Sequence, residues 1–443
     1  IQAKAQLLQT TGATWSVPVR DNTNGNALYV LAGSLTNSGT ADSVRDLNAP
    51  SGSNGVDFTS ERTAGPFAIL DEILDSLQLV ESVAPTQAFP DFQVFWSVNN
   101  VPADGEIADG EINSSSFTTG SSVGNVPTIL ILGDMESDTD EYDEHVVTHE
   151  FGHYFETLVS RSDTIGGSHS LSSILDSRLA WSEGWANAVA AMITDDPIYI
   201  DSNFGSNGGF AFNVELNSLG QTAGSNGWYG EASIQSIVYD IFDSANDGAD
   251  TISAGFAPIF NTFSDPDFLE SDAPITIFSW IDVLRTQPGI SATAIDALLS
   301  VQDINGVGPF GDGETNDGGI PSGLPVVQTV TIGGGPIEIC STDDEGTFNN
   351  LGVRTLIRLN VATAGNLTFT MERVSGDFGR DPDFLIFAQG DFVNIADSAA
   401  TDIEQEVIFL SPNDYIIEAL DFNNLDLPDS GTAGDACYDF SVN

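Results

Sequence analysis

The sequence predicts an α+β domain followed by an all-β sandwich domain. Apolar residues recur at helical spacing through much of the first 302 residues, where strand-like runs also occur. Residues 303–325 are dense in glycine and proline, and only short alternating runs follow them. Helices mixed with strands in one stretch, and strands alone in the next, are typical of two separate cores. We therefore expect domains over 1–302 and 326–443, joined by a linker over 303–325.

The first part of the chain is predicted to be rich in strands. Strand-like runs cover 27–32, 92–98 and 126–132, the last being VPTILIL. Pro127 stands near the start of that run, where an edge strand tolerates proline, so we expect an edge strand there.

The predicted helices follow a spacing of three and four residues. The first begins after Pro66, with apolar positions at Phe67, Leu70, Leu74 and Leu77. Two more are expected over about 140–160 and 179–193, and the second is apolar nearly all round, which indicates burial. Further helical patterns cover 231–243, 254–263, 275–286 and 291–301.

The C-terminal part of the chain is predicted to be a β-sandwich. Seven runs alternate like strands: VVQTVTI, LIRLNVA, NLTFTMERV, FLIFA, EQEVIFL, DYIIEAL and CYDFSV. The two cysteines, Cys340 and Cys437, lie near the two ends of this segment. We expect a disulfide between them, which indicates an oxidising compartment, and two buried free thiols are the alternative.

The charge of the chain excludes several classes of protein. Eleven Lys and Arg against 65 Asp and Glu give a net charge of −54. That number of cations is too small for a nucleic-acid footprint or for adhesion to an anionic membrane. The sequence contains no run of 18 or more apolar residues, so it predicts no membrane-spanning helix. The surface is typical of a bacterial or archaeal protein of a saline environment, with an ordinary acidic secreted protein as the alternative.

The chain begins with IQAKAQ, without an initiator Met or an apolar leader. We therefore expect a processed mature chain that is secreted or held at the cell surface.

One motif carries chemistry. His149-Glu150-Phe151-Gly152-His153 is H-E-x-x-H within a predicted helix. Residues four apart lie on the same helical face, so both imidazoles can reach one metal ion. Glu150 then borders the metal, where it can deprotonate a water. The alternative is a pair of ordinary histidines on a surface or core helix.

A catalytic zinc site needs a third protein ligand and an open position. Glu183, in WSEGWAN, is the best candidate because it opens an otherwise apolar helix, where a carboxylate needs a partner. Asn187 follows one turn later on the same face. It can accept a hydrogen bond from the far nitrogen of a ligating histidine.

HEFGH followed after some 30 residues by SEGWAN resembles the gluzincin clan of zinc metallopeptidases. The resemblance implies that His149, His153 and Glu183 bind one catalytic Zn²⁺ and that Glu150 is the general base. Asn187 matches the position of a group that supports the first histidine.

The same resemblance implies a zincin-like fold, with a strand-rich N-terminal part and a helical C-terminal part. Residues 126–132 would then be the edge strand that pairs with the substrate backbone. Residues 326–443 resemble, in strand pattern and position, the prepeptidase C-terminal domain appended to many secreted bacterial peptidases. That resemblance implies a role in binding, targeting or processing.

Other residues are weaker candidates. Many gluzincins use a downstream His or Tyr to stabilise the oxyanion. Tyr229 and Tyr239 are the candidates for this role here. The alternative is a structural role, which is more common for buried tyrosines. His145 lies one turn before His149 and could line the cleft. His169, in GGSHS, could border it or simply be a loop histidine.

Acidic clusters raise the question of calcium, which prefers oxygen ligands. None matches a full calcium loop, and solvated acidic faces arise easily in so acidic a chain. The clusters are Asp138/Asp140/Asp143, Asp312/Glu314/Asp317 and Asp381/Asp383.

Three functions fit these residues. The first is a secreted zinc metalloendopeptidase acting on a protein or peptide. The second is a catalytically silent surface protein, such as an adhesin or an assembly subunit, that keeps the metal site. The third is a metallohydrolase of a non-peptide substrate. The sequence leaves the oligomeric state open.

Overall fold

The computed structural model describes two compact units, one formed by 1–159 and 186–214 and the other by 160–185 and 215–443. The residues it describes are 1–443 except 13, 35–36, 38–39, 43, 45, 203–207, 216–225, 246–249, 345–346, 426 and 428–429. Helices and strands are both present, so the chain is α+β, and its C-terminal part is a β-sandwich. No helix in the described ranges is both long and apolar enough to cross a bilayer.

The first unit is built on a mixed sheet with the strand order β2-β3-β6-β8-β7, and β4 pairs with β3 beside it. Its strands are β1 (Gln2–Lys4), β2 (Gln6–Gln9), β3 (Trp15–Asp21), β4 (Ala27–Leu28), β5 (Val30–Ala32), β6 (Gln93–Trp96), β7 (Ser116–Thr118), β8 (Thr128–Ile131), β9 (Ile198–Asp201) and β10 (Phe210–Asn213). Its complete helices are α1 (Gly65–Val83) and α2 (Glu144–Leu158). β3, β6 and β8 are parallel neighbours, and their central residues are buried, as in sheets covered on both faces.

The expectation that 126–132 form an edge strand is wrong. β8 lies between β6 and β7, and β7 is the edge of the sheet. Pro127 stands just before β8, where its carbonyl still accepts a hydrogen bond from Gln93 N at 3.0 Å. A proline outside the ladder removes no donor from it, so the strand is free to be internal.

Helix α1 begins at Gly65 with Pro66 in its first turn, as predicted. Its buried face is turned slightly from the predicted one: Phe67 and Leu74 are half-buried, and Ile69, Leu70, Ile73, Leu77 and Val80 form the core contacts.

Helix α3 (Ser177–Thr194) is one continuous helix that begins in the second unit and ends in the first. Residues 177–192 are all buried, which confirms the burial predicted from its apolar character.

The second unit contains helices and the β-sandwich. The helices are α4 (Glu231–Phe242), α5 (Phe256–Phe263), α6 (Pro266–Leu269), α7 (Ile277–Leu284) and α8 (Ala292–Val301). The strands are β11 (Val327–Val330), β12 (Ile337–Ser341), β13 (Arg354–Val361), β14 (Gly365–Gly376), β15 (Pro382–Ala388), β16 (Asp391–Ala396), β17 (Ile403–Leu410), β18 (Asn413–Asp421) and β19 (Ala436–Val442).

The sandwich consists of a five-stranded sheet, β11-β13-β18-β15-β16, and a four-stranded sheet, β12-β19-β14-β17. Inward-facing residues from both sheets, including Phe369, Phe384 and Phe440, share one core. The seven predicted strands are present; β12 and β16 are additional. The predicted disulfide is also present, because Cys340 and Cys437 are bonded and stand opposite each other on β12 and β19.

Candidate metal centre

Helix α2 holds two histidines one turn apart with their ring nitrogens facing each other. The Nε2 atoms of His149 and His153 are 3.1 Å apart, and the ring planes meet at 82°. His149 is buried and His153 is half-buried. Glu150, next to His149 in the chain, is also buried.

The orientation of His149 is fixed from helix α3. Asn187 is buried, and its Oδ1 lies 3.0 Å from His149 Nδ1. Because a carbonyl oxygen can only accept, Nδ1 carries the proton and Nε2 keeps its lone pair. That is the tautomer in which Nε2 can bind a metal ion.

Glu183 lies on α3 one turn before Asn187. Since α3 is one continuous helix, both side chains project from the same face. Glu183 is 7% exposed, within a helix whose residues 177–192 are all buried. A carboxylate in such a setting requires donors or a cation around it.

Within the second unit, Glu183 contacts a histidine that the sequence analysis treated as peripheral. His169 Nε2 lies 3.2 Å from Glu183 Oε2, and His169 Nδ1 lies 2.7 Å from Glu231 Oε2. Each of the three residues offers a ligand atom within 4.8 Å of the others.

Sequence reasoning missed Glu231. The signal that could have found it is the one that selected Glu183: an acidic residue that opens a largely apolar helix, here EASIQSIVYDIF.

The two candidate tyrosines have other contacts. Tyr229 is fully buried, and its hydroxyl lies 2.9 Å from both Asn226 O and Asn316 Oδ1. Burial raises the pKa of Tyr229 to about 12. Tyr239 is buried on α4 and packs against Phe242.

His145 lies in the first turn of α2, one turn before His149. Its Nε2 lies 3.0 Å from Asp196 O and 3.1 Å from Thr194 Oγ1. Its ring also packs against Tyr199 of β9, at 5.1 Å between centroids, and Tyr199 meets His149 edge-on at 6.1 Å. Tyr199 is a further residue near the histidine pair that the sequence analysis did not select.

The acidic clusters differ in what surrounds them. Asp138, Asp140 and Asp143 are joined by Asp201, with one oxygen of each within 4.8 Å of the others. In the second cluster, Glu314 accepts four backbone hydrogen bonds, which come from Asn305, Gly306, Thr315 and Asn316. Asp312 of that cluster pairs with Arg358 at 3.0 Å, so protein donors serve both carboxylates.

In the sandwich, Asp383 is buried on β15. Burial and the neighbouring carboxylates of Asp381 and Glu404 raise the pKa of Asp383 to about 8.

Comparison with known proteins gives one family match. Residues 132–301, less than half of the chain, match the model of the Mycolysin C-terminal domain. This range contains the H-E-x-x-H motif and Glu183. No curated protein matches the chain.

Solved structures with a likeness to this chain include three proteins of different kinds. The pre-peptidase C-terminal domain of the collagenase from Bacillus anthracis is 14% identical, with a TM-score of 0.20, over 26% of this chain and 94% of its own. PliG of Aeromonas hydrophila, a periplasmic inhibitor of g-type lysozyme, is 13% identical, with a TM-score of 0.17, over 26% of this chain and 97% of its own. A β-glucosidase of Paenibacillus barengoltzii is 13% identical, with a TM-score of 0.14, over 26% of this chain and 11% of its own. The family match makes the helical part of this chain similar to a peptidase-related domain.

Proposed function

We propose that the chain is a secreted, zinc-dependent endopeptidase. The observation that carries the proposal is the facing pair of histidines on α2, one of them oriented by Asn187. The similarity of residues 132–301 to the Mycolysin C-terminal domain supports a peptidase context. The disulfide between Cys340 and Cys437 supports an extracytoplasmic location.

The residues fit zinc in donor type and spacing. His149 and His153 of α2 would hold the ion, and Glu183 is the third ligand that we propose for it. Two nitrogens bound to a tetrahedral zinc lie roughly 3.3 Å apart, close to the 3.1 Å between the Nε2 atoms here. Two imidazoles and a carboxylate leave the fourth position open, as in catalytic zinc sites.

When bound, zinc would supply a Lewis acid that polarises the scissile carbonyl and lowers the pKa of a water. Glu150 takes the proton of the attacking water as the water oxygen bonds to the carbonyl carbon. The same proton then passes to the amide nitrogen, the C–N bond breaks, and the amine leaves. His149 is held for its role by Asn187, which keeps the ring proton on Nδ1.

The test compares two glutamates of α2. Glu150→Gln keeps the size and shape of the side chain but removes the negative charge and the base. Glu144→Gln makes the same change at an exposed position in the first turn of the helix. We expect both variants to hold one zinc per chain in saline buffer, and we expect only Glu150→Gln to lose about 10²–10⁴-fold in kcat on a casein or peptide-library substrate.

A further variant tests the ligands. His153→Ala should lose the bound zinc, measured by metal analysis after dialysis. If Glu150→Gln cleaves as fast as the parent, the mechanism is wrong. A parent chain that holds stoichiometric zinc and cleaves no peptide would instead favour the silent surface protein.

A further inference from the structure

Four aspartates of the first unit converge beside the start of the histidine helix. Asp138, Asp140 and Asp143 precede α2, and Asp201 ends β9. One carboxylate oxygen from each lies within 4.8 Å of the other three. The group does not include the histidines, so it is a separate cluster from the proposed zinc site.

Two of these carboxylates have a buried oxygen to which the described residues provide no hydrogen-bond donor. Asp140 is 3% exposed, and its Oδ2 accepts a hydrogen bond from Ser115 Oγ. Its Oδ1 is buried and has no hydrogen-bond partner in the described part of the chain. The same holds for Oδ1 of Asp201. Buried, unsatisfied carboxylate oxygens are costly unless a cation faces them.

The charges around the cluster are of one sign. Burial raises the pKa of Asp140 well above its usual value, and the charges of Asp138 and Asp201 raise it further. Burial and, to a smaller extent, the negative charges of Asp138 and Asp143 raise the pKa of Asp201 to about 7. Burial also raises the pKa of Asp143 to about 6. Carboxylates that repel one another in this way gain most from a cation placed between them.

We propose that Asp138, Asp140, Asp143 and Asp201 bind one Ca²⁺ ion. The donors are all carboxylate oxygens, which calcium prefers and which zinc sites use less than nitrogen or sulfur. Calcium takes oxygens at about 2.3–2.6 Å, so ligands on opposite sides of the ion lie about 4.6–5.2 Å apart. One oxygen of each aspartate lies within 4.8 Å of the other three, which is compact enough for all four to contact one ion of this size.

The ion fixes β9 against the start of α2. Asp143 is the residue before α2 and already accepts hydrogen bonds from Ser202 N at 2.9 Å and Ser202 Oγ at 2.7 Å. Calcium adds the carboxylate of Asp201 to this junction. Tyr199 of the same strand packs against His145 and His149. Calcium therefore supports the strand that lies against the histidine helix.

The test is calcium titration of the full chain after treatment with a calcium chelator. About 1 M NaCl in the buffer screens the surface charge and suppresses weak binding to exposed acids. We expect the parent to bind one Ca²⁺ per chain by calorimetry. At a 100-fold excess over Kd, the melting temperature of the first unit should rise by about 5–10 °C.

Two variants of the cluster and one control separate the outcomes. Asp140→Asn should abolish the calcium-dependent shift while raising the melting temperature of the calcium-free chain, because it removes one of the repelling charges. Asp201→Asn, at the half-buried end of β9, should weaken calcium binding about tenfold or more. Asp317→Asn, in the other acidic loop, should bind calcium like the parent.

The zinc proposal is tested separately. His153→Ala should bind calcium normally, and Asp140→Asn should keep its zinc. Hydrogen exchange of residues 198–201 should slow on calcium addition in the parent and not in Asp140→Asn. Equal calcium binding by the parent and Asp140→Asn, or a melting temperature that calcium does not raise, would overturn the proposal.

Discussion

Replacing Gly152 with alanine tests how closely the two helices of the proposed zinc site approach each other. Gly152 lies on α2 inside the H-E-x-x-H motif. A Cβ at this position would lie 2.7 Å from Val189 Cγ1, 3.0 Å from Ala186 Cα and 3.3 Å from Ala186 Cβ, all on α3. Carbon atoms in ordinary contact are about 3.5–4.0 Å apart, so the helices must separate by about 0.8 Å at this point.

The expected loss of stability is about 2 kcal/mol. Overpacking a tight contact against helix backbone costs about 3 kcal/mol, and the better helix propensity of alanine offsets about 1 kcal/mol of it. In a unit of this size that corresponds to a melting temperature about 4–8 °C lower. The separation also moves Asn187 away from His149, so zinc affinity should fall about tenfold or more.

Calorimetry and zinc competition with a chelating dye measure the two effects. Thr157→Ala is the matched control, because Thr157 is exposed on the same helix and gains propensity without a new contact. It should be slightly more stable than the parent and bind zinc normally. If Gly152→Ala melts at the temperature of Thr157→Ala, the close approach of the helices is refuted.

Three further results are expected. Asn187→Ala should weaken zinc binding about 10–100-fold in the same dye assay because His149 loses the acceptor that sets its tautomer, and Asn187→Asp should restore most of it. The folded-state pKa of Asp383, about 8, lies above its ordinary value, so the native state holds the extra proton and stability should fall as pH rises from about 4 to about 8. Asp383→Asn should remove this dependence and be about 2 kcal/mol more stable at pH 8 in urea unfolding, with no gain at pH 4. Replacing Cys340 and Cys437 together with serine should cost the sandwich about 2–4 kcal/mol, since the bond closes a loop across 97 positions, and reduction of the parent should give the same unfolding curve.

The helices and strands of this chain could be predicted where they depend on residues close together in the sequence. The start of α1 follows from Pro66, and the burial of α3 follows from its apolar sides. The disulfide could also be predicted, because the sequence contains no other cysteines than Cys340 and Cys437.

What could not be predicted depends on contacts between distant segments. β7 is three residues long and lies in a polar stretch, so its sequence did not predict a strand that pairs with β8. The contact of His169 with Glu231 joins residues 62 positions apart. Asp201 joins Asp138 in the same way, from the end of a strand 63 positions further along the chain.

The acidity of the chain itself explains why its buried carboxylates, rather than its acidic runs, are informative. With 65 acidic residues, runs of aspartate occur without any ligand, but a buried carboxylate still requires hydrogen-bond donors or a cation around it. The eleven cations meet only part of that requirement. Arg62 serves buried Glu141, and Arg178 serves Asp176 and shares Glu418 with a second arginine. The aspartate cluster beside α2 has no such ion pair in the described part of the chain, so a metal ion is favoured as its compensating charge.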